Sequence, residues 1–101
     1  MKTKEMLKLL ERKFPNVWFK DGAEFSHEKA GTVWSGSEPT GEDGNENHEV
    51  FLSDMFDGTD DEFTQYHLGI RDDMFKLMEF HDCWWEFWDS GTLFLYGLEE
   101  D

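Results

Sequence analysis

The chain has 101 residues, which is enough for one domain-sized core and too few for two. Aromatic residues make up 17% of it, including ten Phe and five Trp, while 24 acidic against 9 basic residues give a formal net charge of -15. Disordered acidic segments lack aromatic residues, so this composition argues against a disordered tail, and no apolar run approaches the ~20 residues of a transmembrane helix.

Cysteine usage indicates the cellular compartment. Cys83 is the one cysteine of the chain, so no intramolecular disulfide can form and an oxidising compartment is not indicated. Residues 1–8 are basic and amphipathic and lack the apolar stretch of a signal peptide. We therefore expect a cytoplasmic protein.

The first predicted element is an amphipathic helix over residues 3–14. Met6, Leu7, Leu10 and Phe14 recur at helical spacing, and Leu9 widens this apolar stripe. The charged residues Lys4, Lys8, Glu11 and Arg12 lie elsewhere. Pro15 disfavours helical backbone at the residue before it, so the helix is expected to end there.

Short strands and a loop are predicted next. Residues 17–20 and 23–27 have the composition of two strands that flank the turn residues Asp21 and Gly22. A third strand is predicted at 31–35. Residues 35–47 contain three Gly, one Pro and no aliphatic residue, which predicts a loop.

Two further strands are predicted in the middle of the chain. The first begins at His48 and runs towards Phe56, and the second covers residues 62–68. Between them, Asp57 and Gly58 are typical turn residues.

A second amphipathic helix is predicted over residues 70–81. Asp72 and Asp73 fall in its first turn, where the helix dipole favours negative charge. Its apolar face is formed at helical spacing by Ile70, Met74, Leu77, Met78 and His81.

The chain then predicts a β-hairpin, with strands at 84–89 and 92–96 joined by Ser90 and Gly91. Uninterrupted pairing across this two-residue turn would place four aromatic residues on one face, namely Trp85, Phe87, Phe94 and Tyr96. Only one face can pack inward, so Trp84 or Trp88 is expected to remain exposed as an anchor for a partner.

This order of elements predicts an α+β fold. We expect an antiparallel sheet of about four to six short strands, with an N-terminal helix and a second helix before the C-terminal β-hairpin, both helices lying on one face of the sheet. No composition shift marks a linker, so residues 1–101 are predicted to form a single domain.

Charge is distributed unevenly along the chain. Residues 1–20 hold six basic against two acidic residues and have a net charge of +4, whereas residues 21–101 hold three basic against 22 acidic residues and have a net charge of -19. Isolated buried charges are very costly, so these carboxylates are expected at the surface. A net charge of ~2 to 8 is enough to keep a small domain soluble, and the excess points to a binding function.

The predicted partner-binding residues are acidic clusters and the two tryptophans. In full they are Asp54, Asp57, Asp60, Asp61 and Glu62; Asp72 and Asp73; Glu42, Asp43, Glu46 and Glu49; and Trp84 and Trp88. Such carboxylates suit a basic nucleic-acid-binding protein or complex, because proteins that bind duplex DNA present Lys/Arg arrays to its phosphates. Direct binding of nucleic acid or of a membrane by the acidic body is not expected.

In its short length, its charge of -15, its aromatic-rich α+β pattern and its single cysteine, the chain resembles the phage-encoded DNA-mimic inhibitors, which include anti-CRISPR and anti-restriction proteins. This resemblance is one of class and rests on no sequence motif. It implies an inhibitor in the cytoplasm of a bacterial host whose carboxylates imitate phosphates and block a basic groove. An immunity protein or antitoxin that covers a basic nuclease site is an alternative, and so is a self-associating structural module.

Catalytic and metal motifs are absent from the sequence. There is no P-loop, G-x-S-x-G or G-x-G-x-x-G, so we expect neither an enzyme nor a cofactor. His81, Asp82 and Cys83 lack the paired spacing of zinc ligands, and residues 54–62 lack the ligand order of a calcium loop, so no metal site is predicted. Cys83 is expected to be a small buried residue, and His81 a half-buried one.

Overall fold

The computed structural model describes residues 1–38, 46–52, 66, 67 and 69–100. Across these residues the fold is α+β, as predicted, with three α-helices and antiparallel sheet. In chain order the elements are helix α1 (Thr3–Lys13), strand β1 (Lys20–Asp21), two 3-10 turns (Gly22–Glu24 and His27–Lys29), strand β2 (Val33–Gly36), helix α2 (Asn47–Val50), strands β3 (Tyr66–His67) and β4 (Ile70–Arg71), helix α3 (Asp72–Phe80), and strands β5 (Trp84–Asp89) and β6 (Thr92–Tyr96).

The main sheet has four strands in the order β1-β2-β6-β5, all antiparallel to their neighbours. Strands β3 and β4 form a separate two-stranded sheet. In the main sheet β2 and β6 are central, so β1 and β5 are its edges among the described residues.

Helix α1 confirms the first predicted helix. Met6 and Leu10 are fully buried on one side of it, while Phe14 is its C-cap, with its N–H donated to the Leu10 carbonyl oxygen. Its first residue, Thr3, donates both its N–H and its hydroxyl to the Glu99 carbonyl oxygen, each at 3.1 Å. These bonds join the start of α1 to the segment that follows β6.

Both long helices lie against one face of the sheet, as predicted. The core contains Met6 and Leu10 of α1 and Met74 and Met78 of α3, together with inward-facing residues of the central strands such as Leu95. Removing these side chains from water supplies the main driving force for the fold, at about 2 kcal/mol for each fully buried large apolar side chain.

Helix α3 is shorter than the predicted helix over 70–81. Ile70 belongs to β4, and His81 is the half-buried C-cap. Asp82 adopts a positive φ of 57° just after it, and Cys83 donates its N–H to the Met78 carbonyl oxygen at 3.0 Å. This arrangement is a Schellman motif, which bonds carbonyls that a helix end leaves unpaired.

The hairpin has the predicted strand ends, but the predicted face was wrong. The register shifts between Phe87 and Asp89, so Trp85 lies opposite Leu95 and Phe87 opposite Leu93. A one-residue bulge moves every side chain beyond it to the other face of the sheet. This register places all four apolar side chains on the helix side, where Trp85, Leu93 and Leu95 are buried and Phe87 is half-buried, whereas regular pairing would have placed Glu86 there.

The predicted strands at 17–20 and 23–27 were largely wrong. Only Lys20–Asp21 is a strand, and it pairs with β2. The Asp21 side chain accepts a hydrogen bond from the Ala23 N–H and, with Glu24, forms a capping box that starts a 3-10 turn; Ser26 caps the next turn. Hydrogen bonds between these side chains and the nearby backbone stabilise two turns in place of the predicted returning strand.

The strand predicted from His48 was also wrong in its described part. Asn47–Val50 is a short helix, after which Phe51 forms a single bridge with Ile70. Residues 53–56 lie outside the described residues. Of the predicted strand at 62–68, only Tyr66–His67 is described, and it forms β3.

The predicted loop at 35–47 is bounded by structured residues. Ser35 and Gly36 belong to β2, and Asn47 is a fully buried residue of α2. Residues 39–45 lie outside the described residues.

Candidate partner-binding surface

Much of the predicted acidic surface lies outside the described residues. This holds for Glu42 and Asp43, and for Asp54, Asp57, Asp60, Asp61 and Glu62. Among the described Asp and Glu residues none is buried, in agreement with the expectation that the charge is carried at the surface. Glu46, next to α2, is half-buried and Glu49, within it, is exposed.

Asp72 and Asp73 lie in the first turn of α3, and both are paired with cations of the chain itself. Asp73 receives hydrogen bonds from Arg71 at 2.8 and 2.9 Å, and Lys76 lies 3.2 Å from Asp72. Each pair joins one positive to one negative side chain, so this cluster presents less net charge than its sequence suggests.

Trp84 and Trp88 are both exposed, at 51% and 56% of their surface. The bulge in β5 is the cause, because it directs Trp85 and Phe87 to the core and leaves the other side chains of the strand outside. The expectation that one of these tryptophans stays exposed is met by both, although their role in binding is a prediction.

The outer side of the main sheet is covered by aromatic side chains. We call these residues the aromatic face: Phe25, Trp34, Trp84, Trp88, Phe94 and Tyr96. Phe25 lies at its centre, with its ring 5.3 Å from Trp34, 5.0 Å from Phe94 and 6.0 Å from Trp88. Trp84 stacks on Tyr96 at 6.3 Å.

The aromatic face binds two ammonium groups of the chain itself. Lys29 Nζ lies 4.6 Å from the Trp88 ring and 4.8 Å from the Phe94 ring, and it donates a 2.8 Å hydrogen bond to the Tyr96 hydroxyl. Lys20 Nζ lies 5.3 Å from the Trp34 ring. The negative faces of these rings attract cations, so this surface is suited to cationic side chains.

Two exposed carboxylates line one cavity together with Trp84. Glu86 projects from β5 and accepts a 2.7 Å hydrogen bond from Trp84 Nε1, and Glu79 is exposed on α3. No lysine or arginine in the described part of the chain forms an ion pair with either of them. Both negative charges therefore remain available to a cation from outside.

A cavity of about 560 Å³ lies between α3 and β5. Buried apolar residues line its inner part, including Met78, Cys83 and Trp85, while Glu79 and Glu86 line it from exposed positions. This size falls within the ~300–1,000 Å³ typical of ligand sites, and the lining is mostly apolar with few polar groups.

The His81-Asp82-Cys83 segment has a structural role. Cys83 is buried, as expected, and its Sγ lies 3.5 Å from the Met78 carbonyl oxygen. Burial raises the pKa of the Cys83 thiol to about 11, so it is not a nucleophile near neutral pH. Across the residues described, no group of three His, Cys, Asp or Glu is placed to hold a metal ion.

Sequence reasoning missed the aromatic face and the cavity, because both depend on the bulge. One signal was present in the chain: regular pairing would have placed Glu86 on the same face as Leu93 and Leu95, which are fully buried. The contribution of Phe25 carried no such signal, since it reaches the sheet through the two 3-10 turns.

No protein-family model, curated protein or solved structure matches this chain. None of the helices in the described ranges is long and apolar enough to cross a membrane.

Proposed function

We propose that this protein is an acidic inhibitory binding protein of the bacterial cytoplasm. Its carboxylates take the place of nucleic-acid phosphates and block the Lys/Arg-lined groove of a nucleic-acid-binding complex, such as a CRISPR effector or a restriction enzyme. The observation that carries the proposal is a net charge of -15 on a chain with a packed apolar core.

The described carboxylates support this proposal because they lie at the surface, several of them on helices and strands. Every described carboxyl residue is exposed or half-exposed. They include Asp72, Asp73 and Glu79 near the two ends of α3, and Glu86 and Asp89 in the middle and at the end of β5. Carboxylates held on helices and strands keep their spacing, so a basic groove can recognise them as a pattern. Association driven by such a field is fast and weakens as salt is added.

The aromatic face supports the same kind of partner. Interfaces gain most of their affinity from a few aromatic and arginine side chains, and charge on its own gives mainly rate and specificity. Trp84 is exposed beside Glu86, which forms no ion pair with a described lysine or arginine, and this combines an apolar anchor with a negative charge. A partner rich in arginine satisfies both.

Affinity capture with competition tests the proposal. The protein is immobilised, a bacterial lysate is passed over it at physiological salt, and bound proteins are eluted with duplex DNA. We expect nucleic-acid-binding proteins to be captured and then displaced by the duplex, because both ligands need the same groove. Captured proteins that remain bound in excess duplex, or that bind no nucleic acid, would contradict phosphate mimicry.

The same experiment separates the alternatives. Capture of one small nuclease whose active site is covered would instead favour an immunity protein or antitoxin. A mass that doubles in light scattering at low salt and returns to the monomer at high salt would favour the self-associating module, in which the basic residues of α1 bind the acidic body of another copy.

A further inference from the structure

The cavity between α3 and β5 opens along β5, which is an edge strand of the main sheet among the described residues. It is lined by consecutive residues of β5, Trp84 to Phe87, whose side chains alternate between the two faces of the sheet. Only the edge of a strand is adjacent to both faces. Since β5 is the last strand in the order β1-β2-β6-β5, it has no neighbour on that side among the described strands.

An edge strand of this kind can pair with an extended segment of another protein. Its unpaired N–H and C=O groups offer backbone hydrogen bonds, and pockets beside the strand select the side chains. Helix α3 forms the second wall here, so a segment paired with β5 would place alternate side chains against Met78 and Phe75.

The charges around the cavity select a cationic side chain. Glu79 on one wall and Glu86 on the other carry no ion pair with a described lysine or arginine, and the exposed Trp84 ring lies beside Glu86. Arginine combines an apolar stem with a planar guanidinium that stacks on aromatic rings and forms forked bonds with carboxylates. Lys29 on Trp88 shows that a tryptophan of this same strand binds a cation.

We propose that the cavity between α3 and β5 binds an arginine side chain carried by an extended, partly apolar segment of the basic partner. The stem and its apolar neighbours fill the inner part, and the guanidinium lies between Trp84, Glu79 and Glu86. This inference rests on the proposed function for its basic partner, and it adds the location and the recognised residue.

A peptide titration tests the site directly. The probe is a blocked pentapeptide of alternating leucine and arginine, and its control has citrulline for arginine, which keeps the shape and removes the charge. We expect saturable one-to-one binding at physiological salt in calorimetry and a shift of the Trp84 Nε1–H resonance. The citrulline peptide should bind about thirtyfold more weakly, the equivalent of ~2 kcal/mol, because it loses both the cation on the tryptophan face and the ion pair.

Matched variants locate the contact. Glu86→Gln and Glu79→Gln should each weaken binding about fivefold, the equivalent of ~1 kcal/mol. Glu11→Gln on α1 removes the same charge far from the cavity in the fold and should change binding less than twofold. Equal effects of all three variants would show a diffuse charge effect and overturn the proposal, as would unchanged binding in Trp84→Ala with an intact fold by circular dichroism.

The two proposals fail separately. If a captured protein is displaced by duplex DNA yet binds Glu79→Gln, Glu86→Gln and wild type equally well, the cavity proposal is wrong and phosphate mimicry stands. If the arginine peptide binds as expected but captured proteins do not compete with DNA, the cavity is a site for arginine and phosphate mimicry is wrong.

Discussion

Replacing Asn47 with alanine tests how α2 is held to the sheet. Asn47 is fully buried, and its side-chain amide joins three segments. Its Oδ1 accepts a 2.9 Å hydrogen bond from the Trp18 N–H, and its Nδ2 donates to the Gly36 carbonyl oxygen at 2.7 Å and to Ser35 Oγ at 3.3 Å. Alanine removes all three bonds and leaves their partners without this amide.

The expected cost follows from these bonds. A net hydrogen bond is worth about 1 kcal/mol, and a buried group left unpaired costs at least as much, so Asn47→Ala should lower the free energy of unfolding by roughly 3 kcal/mol. This is a large part of the ~5–15 kcal/mol that stabilises a domain of this size. With a urea m-value of about 1.5 kcal/mol/M, the unfolding midpoint should fall by about 2 M.

Urea unfolding followed by tryptophan fluorescence is the assay. Asn16→Ala is the control, because Asn16 is exposed and contributes to this region through its backbone carbonyl, which accepts a hydrogen bond from the Glu46 N–H. It should shift the midpoint by less than about 0.3 M. Similar shifts in the two variants would refute the bridging role of Asn47.

Asn47→Asp gives a second check. A carboxylate keeps the acceptor for the Trp18 N–H but faces the Gly36 carbonyl oxygen with an acceptor instead of a donor. Burial of that charge raises the pKa of the introduced carboxyl in the folded state, so its folded form binds more protons than its unfolded form. The deficit in stability relative to wild type should therefore shrink as the pH falls through that raised pKa.

Two further predictions concern the end of α3. Asp82→Gly should raise the free energy of unfolding by about 1 kcal/mol, because Asp82 has a φ of 57° and glycine adopts this conformation without strain; a lower thermal midpoint would contradict this. The pKa of Cys83 is raised to about 11 by burial, so as the pH rises the thiol ionises in the unfolded state before it does in the folded state. The difference in free energy of unfolding between wild type and Cys83→Ala should therefore be complete below about pH 8.5 and decline as the pH rises to about 11. A constant difference across this range would contradict the prediction.

Local sequence patterns were sufficient to predict the elements whose conformation depends mainly on residues close in sequence. Helices α1 and α3 and both ends of the hairpin follow from apolar spacing, Pro15, and the turn residues Ser90 and Gly91. The α+β class follows from their order. Strand propensity gave the wrong prediction at 23–27 and at Asn47–Val50. In both segments, hydrogen bonds made by particular side chains outweigh a weak preference for strand.

The candidate site could be predicted only in part. The exposed tryptophans and the surface position of the described carboxylates were expected from composition. The pairing of Asp72 and Asp73 with Lys76 and Arg71 was not expected. Because of it, Glu79 and Glu86, which form no ion pair with a described lysine or arginine, are better candidates for partner binding than the carboxylates at the start of α3.

The sequence by itself determined the charge of -15, the two long helices, the hairpin and the presence of enough apolar and aromatic residues for one core. The tertiary structure decided which aromatic residues are buried and which form the outer face. That choice depends on one bulge between Phe87 and Asp89, since a shift of one residue exchanges the faces of β5. The favoured register is the one that buries Leu93 and Leu95 with Trp85, and this requires the helices packed over them.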